Sequence, residues 1–522
     1  MVRMFAGWRR ATPSLVVLLL AACGSTTQNT GSAVTPNSGL GASPPAGIGA
    51  AGGSSAPGAG SGGTSALSAP GGAGPAAASA ASTQAGATGP SGGGGKVGSG
   101  ATAGSTASAP GITPTHIYVG GSYVSDAAAA DAALGTTGLN PGNTQDEANV
   151  LVRYLNAHGG IAHRKIVPIW FDGSATQNVQ TEYQAACAKW TQDNKTFAFG
   201  LGDLTAGNPV FDQCAADAHA FNMTTGAVAL EDRPILQHFS TDIALTELTN
   251  DDAMRVTIDG LSRQGYFSSG AKVGIATWDE GDFAYGVQHV ALPALARSGF
   301  HDVPAQYVAV PQSEGDLSAT SASVNNAVLK FRAMGIDHVL LFDGAAGING
   351  AGTLVLLWMN DAQSQHYNPR YGLNSTSGLS TLAPDLPPQQ MAGSIAVGWI
   401  PVLDETPGDY PTSKYPATAQ RCLRIMAAGG ERPSTVNQTG VELGICDWFF
   451  FLRQTLDPIA DSLTTSDALA AINGAGHSFA SGAVFGVDVT AGRHDGVSVA
   501  RNAAFVQSCT CYRYTSGPYK IS

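Results

Sequence analysis

The chain has 522 residues, more than one hydrophobic core usually spans. Only 12% of them are charged, the net charge is −12, and glycine occurs 67 times. An acidic surface repels phosphate backbones and argues against a nucleic-acid partner. The glycine excess is local.

Residues 1–23 start basic, with Arg3, Arg9 and Arg10, and continue into an apolar stretch at 15–22. That stretch is too short to span a bilayer and reads as an export signal. Leu20-Ala21-Ala22-Cys23 resembles the bacterial lipobox, which implies a lipid on Cys23 and attachment to the outer face of the cell membrane or a periplasmic location. Residues 24–110 are mostly Gly, Ala, Ser, Thr and Pro with Lys96 as the sole charge and no aromatic residue. Such a segment cannot offset its ordering entropy by burial, so it is expected to be a disordered tether, about 50 Å end to end.

The folded part is expected over 111–522. It opens with the apolar run Ile117-Tyr118-Val119. Thr144-x-x-Glu147 then reads as a capping box, and Ala148, Leu151, Val152 and Leu155 form a helical apolar stripe. Gly159-Gly160 stops that helix, and 166–171 is a continuous apolar run suited to a strand buried on both faces. Further strands are expected at 197–201, 223–229, 272–278, 305–310, 337–343, 369–373 and 394–400. Helices are expected at 177–192, 209–221, 251–267, 284–298, 319–334, 350–364, 414–428, 438–457 and 466–473. Alternation on this scale implies an α/β chain of two doubly wound, Rossmann-like lobes.

The order "apolar strand, Gly-Ser, then Glu147 through Asp172", with its helix stripe, double glycine and Arg164-Lys165, resembles the opening of type I periplasmic binding proteins of the leucine/isoleucine/valine-binding kind. Lys272 to Thr277 followed by Asp282-Phe283-Ala284-Tyr285-Gly286 resembles the start of that family's second lobe, and 337–342 its next core strand. The resemblance implies a hinge between lobes, with lobe 1 at 111–240 plus 375–490 and lobe 2 at 241–374 plus 491–522.

In doubly wound sheets ligands bind beyond the carboxyl ends of the strands. That rule selects Ser122, Tyr123, Asp203, Ala345, Asn374 and Ser375. The resemblance adds roles: Thr205 and Ala206 for a ligand carboxylate, Ala227 and Ala229 for backbone contacts, and Tyr285 as a ring closing from lobe 2. Asn374-Ser375 stand where the family's amino-acid binders carry an acid for the ligand ammonium, and neither is acidic. Amides, polyols and small carboxylates therefore stay open beside amino acids.

With Cys23 acylated, six cysteines remain. An even number in an exported chain suggests disulfides. Nearness in sequence favours Cys187–Cys214 and Cys422–Cys446, leaving Cys509 and Cys511, whose bridging needs a bent backbone; a metal site is the rival reading there. Glu231-Asp232, Asp251-Asp252 and Asp279-Glu280 read as solvated or first-turn charges. No Gly-x-Ser-x-Gly or His-Glu-x-x-His motif occurs within 111–522, and no cofactor is expected. The expectation is a non-enzymatic, lipid-anchored binder of a small-molecule ligand serving an ABC permease, or a surface receptor of the same fold without transport.

Overall fold

The structure, a computed structural model, describes residues 108–127, 141–204, 207–226, 231–345, 350 and 352–521. Cys23 and the export signal, nearly all of the expected tether, and Thr205, Ala206, Ala227 and Ala229 lie outside these residues.

The first sheet has five parallel strands: β1 (His116–Val124), β2 (Lys165–Gly173), β3 (Ala198–Gly202), β4 (Phe221–Thr224) and β5 (Asp242–Ala244), in the order β2-β1-β3-β4-β5. Helix Thr144–Ala157 joins β1 to β2 and buries Ala148, Leu151, Val152 and Leu155, as its stripe requires. Its cap lies one residue before the expected one. Asn143 Oδ1 accepts from the Asp146 N–H at 3.1 Å, and Asn143 Nδ2 donates to Asp146 Oδ2 at 2.6 Å. Thr144 is unavailable as a cap because its hydroxyl donates to Asp203 Oδ1 at 2.6 Å. Gly159 and Gly160 both take positive φ (98° and 72°), and Gly160 N–H donates to Leu155 O, which closes the helix.

The second sheet repeats the winding. Strands β6 (Val273–Trp278), β7 (Ala305–Val308), β8 (His338–Phe342), β9 (Arg370–Asn374) and β10 (Ile395–Gly398) are parallel in the order β7-β6-β8-β9-β10. Three antiparallel strands extend it: β11 (Val499–Val506) beside β10, with β12 (Cys511–Tyr514) and β13 (Tyr519–Lys520) both on β11. Helices Ala417–Gly429 and Val436–Leu456 return to the first sheet and pack on helix Thr144–Ala157. There Trp448 Nε1 donates to Met223 O of β4 at 2.8 Å, and Trp448, Phe449 and Phe451 are fully buried.

Several expectations need correction. Strands β5 and β11–β13 carry no clear sequence signal: β5 has three residues, and the others follow a stretch that reads as helical. The expected lobe limits at 240 and 375 put β5 and β10 with the wrong sheet. β5 pairs with β4, and β10 with β9 and β11. Strand partnership is a long-range property that family spacing does not carry. Ala109, placed in the tether, is buried, and its N–H donates to Leu463 O at 2.8 Å.

All three disulfides form. Cys187–Cys214 joins helices Val179–Cys187 and Pro209–Ala218, and Cys422–Cys446 joins the two helices of the return pass. Cys509–Cys511 closes across Thr510, whose φ of 50° supplies the bend. The metal reading of these last sulfurs falls, since each is spent on the other.

Candidate functional site

Both sheets reverse their winding order beside their first strand, between β1 and β3 and between β6 and β8. A crevice opens at the carboxyl ends of strands at such points. The two sets of loops meet: Val179 N–H donates to Gln312 O at 3.0 Å, and Glu314 N–H to Ala175 O at 3.1 Å, linking the chain after β2 to the chain after β7. On another side, Asp282 after β6 lies close enough to Asp212 and Glu231 of the first sheet's connections to raise their pKa values. Connections of both sheets therefore come together at this end of the molecule.

The sequence-selected residues divide into two groups. Tyr285 and Ala345 are half-buried at the second wall, and the Tyr285 ring lies against His289 with centroids 4.4 Å apart. Tyr123 is half-buried at the end of β1, edge-on to Trp170. These three keep surface that a solute can meet. The others are held by the protein itself. Ser122 lies within β1 and its Oγ accepts from Leu204 N–H at 2.9 Å. Asp203 accepts from Thr144 Oγ and, at 3.1 Å, from Val124 N–H, so it fastens the end of β1 to the helix start; burial raises its pKa to about 6. It does not cap helix Pro209–Ala218; Asn208 does. Asn374 caps the turn 375–377 and donates to Thr257 Oγ. Ser375 Oγ donates to Asp404 Oδ2 at 2.9 Å and accepts from Trp399 N–H. Asp343 accepts from Trp278 Nε1, Gly344 N–H and Val355 N–H, anchoring helix Thr353–Ser364.

Sequence reasoning passed over the acids. Asp251 and Asp252 are first-turn charges of helix Asn250–Arg263, but they and Glu231 and Asp232 are all buried rather than solvated. Asp252 is satisfied by Arg233 and by Arg255, the latter at 3.0 Å. Burial first, and the charges of Asp251 and Asp282 second, raise the Asp232 pKa to about 9. Asp282 rises to about 6 by burial, and Glu280 to about 7 by burial and then by Asp282. The signal was the density of acids around the strand ends at 231–232, 242, 251–252 and 280–282, spread too far along the chain to read as one group.

No protein-family model matches the chain, and no curated protein sequence does. Solved structures do. A solute-binding protein of an ABC transporter from R. palustris, in complex with 4-hydroxybenzoate, superposes with a TM-score of 0.55 at 12% identity, covering 78% of this chain and 97% of that one. A fatty acid ABC transporter substrate-binding protein from Thermomonospora curvata gives 0.53 at 14% identity, covering 80% and 95%. A possible leucine/isoleucine/valine-binding protein from Rhodopirellula baltica SH 1 gives 0.52 at 12% identity, covering 77% and 97%. This chain has the type I periplasmic-binding-protein fold. The match spans nearly the whole of each of these three chains. At these identities the likeness carries the fold and not the solute.

Proposed function

We propose that the protein is an extracytoplasmic solute-binding lipoprotein that closes two lobes on a small molecule and presents it to an ABC-type importer. The observation that carries this reading is the pair of identically wound sheets whose connections meet at Val179–Gln312 and Glu314–Ala175. Lobe 1 would comprise the first sheet with the return helices, and lobe 2 the second sheet with β11–β13. The crossings would fall near 245–250, 399–416 and 490–497. The solute would touch both walls only when they are closed, so binding shifts the population toward the closed state.

Amino acids and related amides or carboxylates are the solute class we favour. Asp282 and Glu280, beside Tyr285, offer the counter-charge an ammonium group needs, which Asn374 and Ser375 do not. The fold relatives are named as solute-binding proteins, which supports a binder over an enzyme. Export and acylation at Cys23 would hold the domain at the membrane on its tether.

The test is a thermal-shift screen of the purified chain against amino acids, amides, aromatic and aliphatic carboxylates and sugars. A solute at about 100 times its Kd stabilises by about 2.7 kcal/mol, a shift of a few degrees. A saturable shift supports the reading. A flat response across the panel overturns solute capture and leaves a receptor for a protein or polymer.

A further inference from the structure

We infer that the first sheet carries a binding site for one hard divalent cation, Ca²⁺ in the first instance, formed by Asp212, Glu231 and Asp242 with Thr249. The three carboxyl groups come from three separate elements. Asp212 is in the first turn of helix Pro209–Ala218, Glu231 precedes helix Arg233–His238, and Asp242 opens β5. One carboxylate oxygen from each lies within 4.8 Å of the others. That span is about twice a Ca–O distance of ~2.4 Å, so a single ion can reach all three.

Among the described residues the acids face one another and the Asn222 amide, with no base among the groups that act on them. All three are buried, Asp212 completely, and every charged neighbour that acts on them is acidic: they act on one another, and Asp282 acts on Asp212 and Glu231. The nearby basic side chain Arg233 is committed to Asp252. The His494 ring beside the Asp242 backbone is kept neutral by burial. Asn222, in register with Asp242 on β4, donates its amide to Asp212 Oδ1 at 3.4 Å and fixes that carboxylate in place. Among the described residues, no hydroxyl or basic group donates to Asp212 Oδ2, Glu231 Oε2 or either oxygen of Asp242, which are left to the other carboxyl groups of the cluster and the Asn222 amide. Buried carboxylates without a base must take up protons or a cation.

The second, independent observation is Thr249. This residue stands at the N-cap position of helix Asn250–Arg263, where a threonine hydroxyl ordinarily accepts from the helix. Its Oγ makes no such bond, is 1% exposed with the rest of its residue, and has no partner among the described residues. It lines the same small cavity as Glu231, Asp242 and Thr224, about 10 Å³ in volume, room for one water-sized particle. Three carboxylates with no imidazole or thiol among them, two of them on the cavity that Thr249 lines, select a hard cation over zinc or copper.

The position gives the ion a mechanical role. Glu231 O accepts from Asn250 N–H at 2.7 Å, where the chain leaves the first sheet for the second. An ion joining Glu231, Asp242 and Thr249 would brace that crossing. The site stands whether or not the cleft binds a solute.

Isothermal titration of the full chain, stripped with a chelator, against CaCl₂, MgCl₂ and MnCl₂ tests it, with NaCl matched for ionic strength. The expected result is one Ca²⁺ per chain with a Kd between about 10 µM and 1 mM, and a saturable rise in Tm. Asp242→Asn and Glu231→Gln should each weaken Ca²⁺ about tenfold or more, while Asp259→Asn on the exposed face of helix Asn250–Arg263 leaves it unchanged. Asn and Gln keep size and remove repulsion, so these variants should fold at least as well as the parent. Absence of saturable binding up to about 10 mM overturns the site and leaves the three acids sharing protons. So does binding that survives both substitutions.

Discussion

At the residue scale, buried carboxyl groups decide how the chain responds to pH. Glu147 is the clearest. Burial first, and then the charges of Glu442, Glu431 and Asp203, raise its pKa from 4.5 to about 8, against the lowering effect of the Asn143 N–H. The folded chain holds this proton where the unfolded chain releases it. Its contribution to stability is complete below about 4.5 and is lost as pH rises through about 8. Glu247, raised to about 8 by burial, acts in the same direction. Tm should therefore decline from pH 5 to pH 8.5, and Glu147→Gln should flatten the decline; a Tm that climbs over this range contradicts the assignment. Asp203 is a fastener by the same reading. Asp203→Ala removes the partner of Thr144 and Val124 and should cost about 1–3 kcal/mol in urea denaturation.

At the element scale, local signals foretold most helices because their periodicity and caps are local. Pro209 in a first turn, the Gly159-Gly160 stop and the apolar stripe of helix Thr144–Ala157 all serve as read. The 177–192 helix does form, but its last turn is a π-turn over Ala188–Asp193, which sets Trp190 against Phe199 and Phe211. The reading of Gly121-Ser122-Tyr123 as loop failed because β1 runs on through it. Gly120 lies under Trp190 and Phe199, and Gly121 under Trp170, so the glycines admit large neighbours to a strand rather than end it. The disulfides brace helices unequally. Cys422 and Cys446 are 24 residues apart, and Cys509 and Cys511 only 2. Loop closure makes the first worth about 3 kcal/mol and the second far less. The double variant Cys422→Ala/Cys446→Ala should lower the urea midpoint markedly, while Cys509→Ala/Cys511→Ala should barely move it. Equal losses would mean that native packing, not chain entropy, sets their value.

At the scale of the whole molecule, two sheets of the same winding are joined through their connections, and the proposed solute site lies between them. Tyr285 is the sequence-selected residue chosen to report on that site, since it is half-buried and its ring lies against His289. Tyr285→Ala should leave Tm without solute nearly unchanged and weaken any solute found in the screen about tenfold or more, the usual scale for truncating an aromatic anchor. A variant that binds as the parent does would remove Tyr285 from the site. Solute should also shrink the radius of gyration in small-angle scattering if the lobes close by a hinge.

The amino-acid sequence by itself determined the alternation of strands and helices, the two-lobed architecture, two of the disulfides and the family likeness. The alternation rests on periodicity and turn chemistry, the disulfides on proximity along the chain, and the lobes on chain length and the family resemblance. Only the tertiary structure decided which strands share a sheet, that β10 stays with β9, and that Asn374 and Ser375 serve the framework. It alone gathered Asp212, Glu231 and Asp242 from three elements into one buried group. Partnership between residues far apart in the chain is settled by packing, and a carboxylate looks the same in sequence whether it ends in water or beside two others.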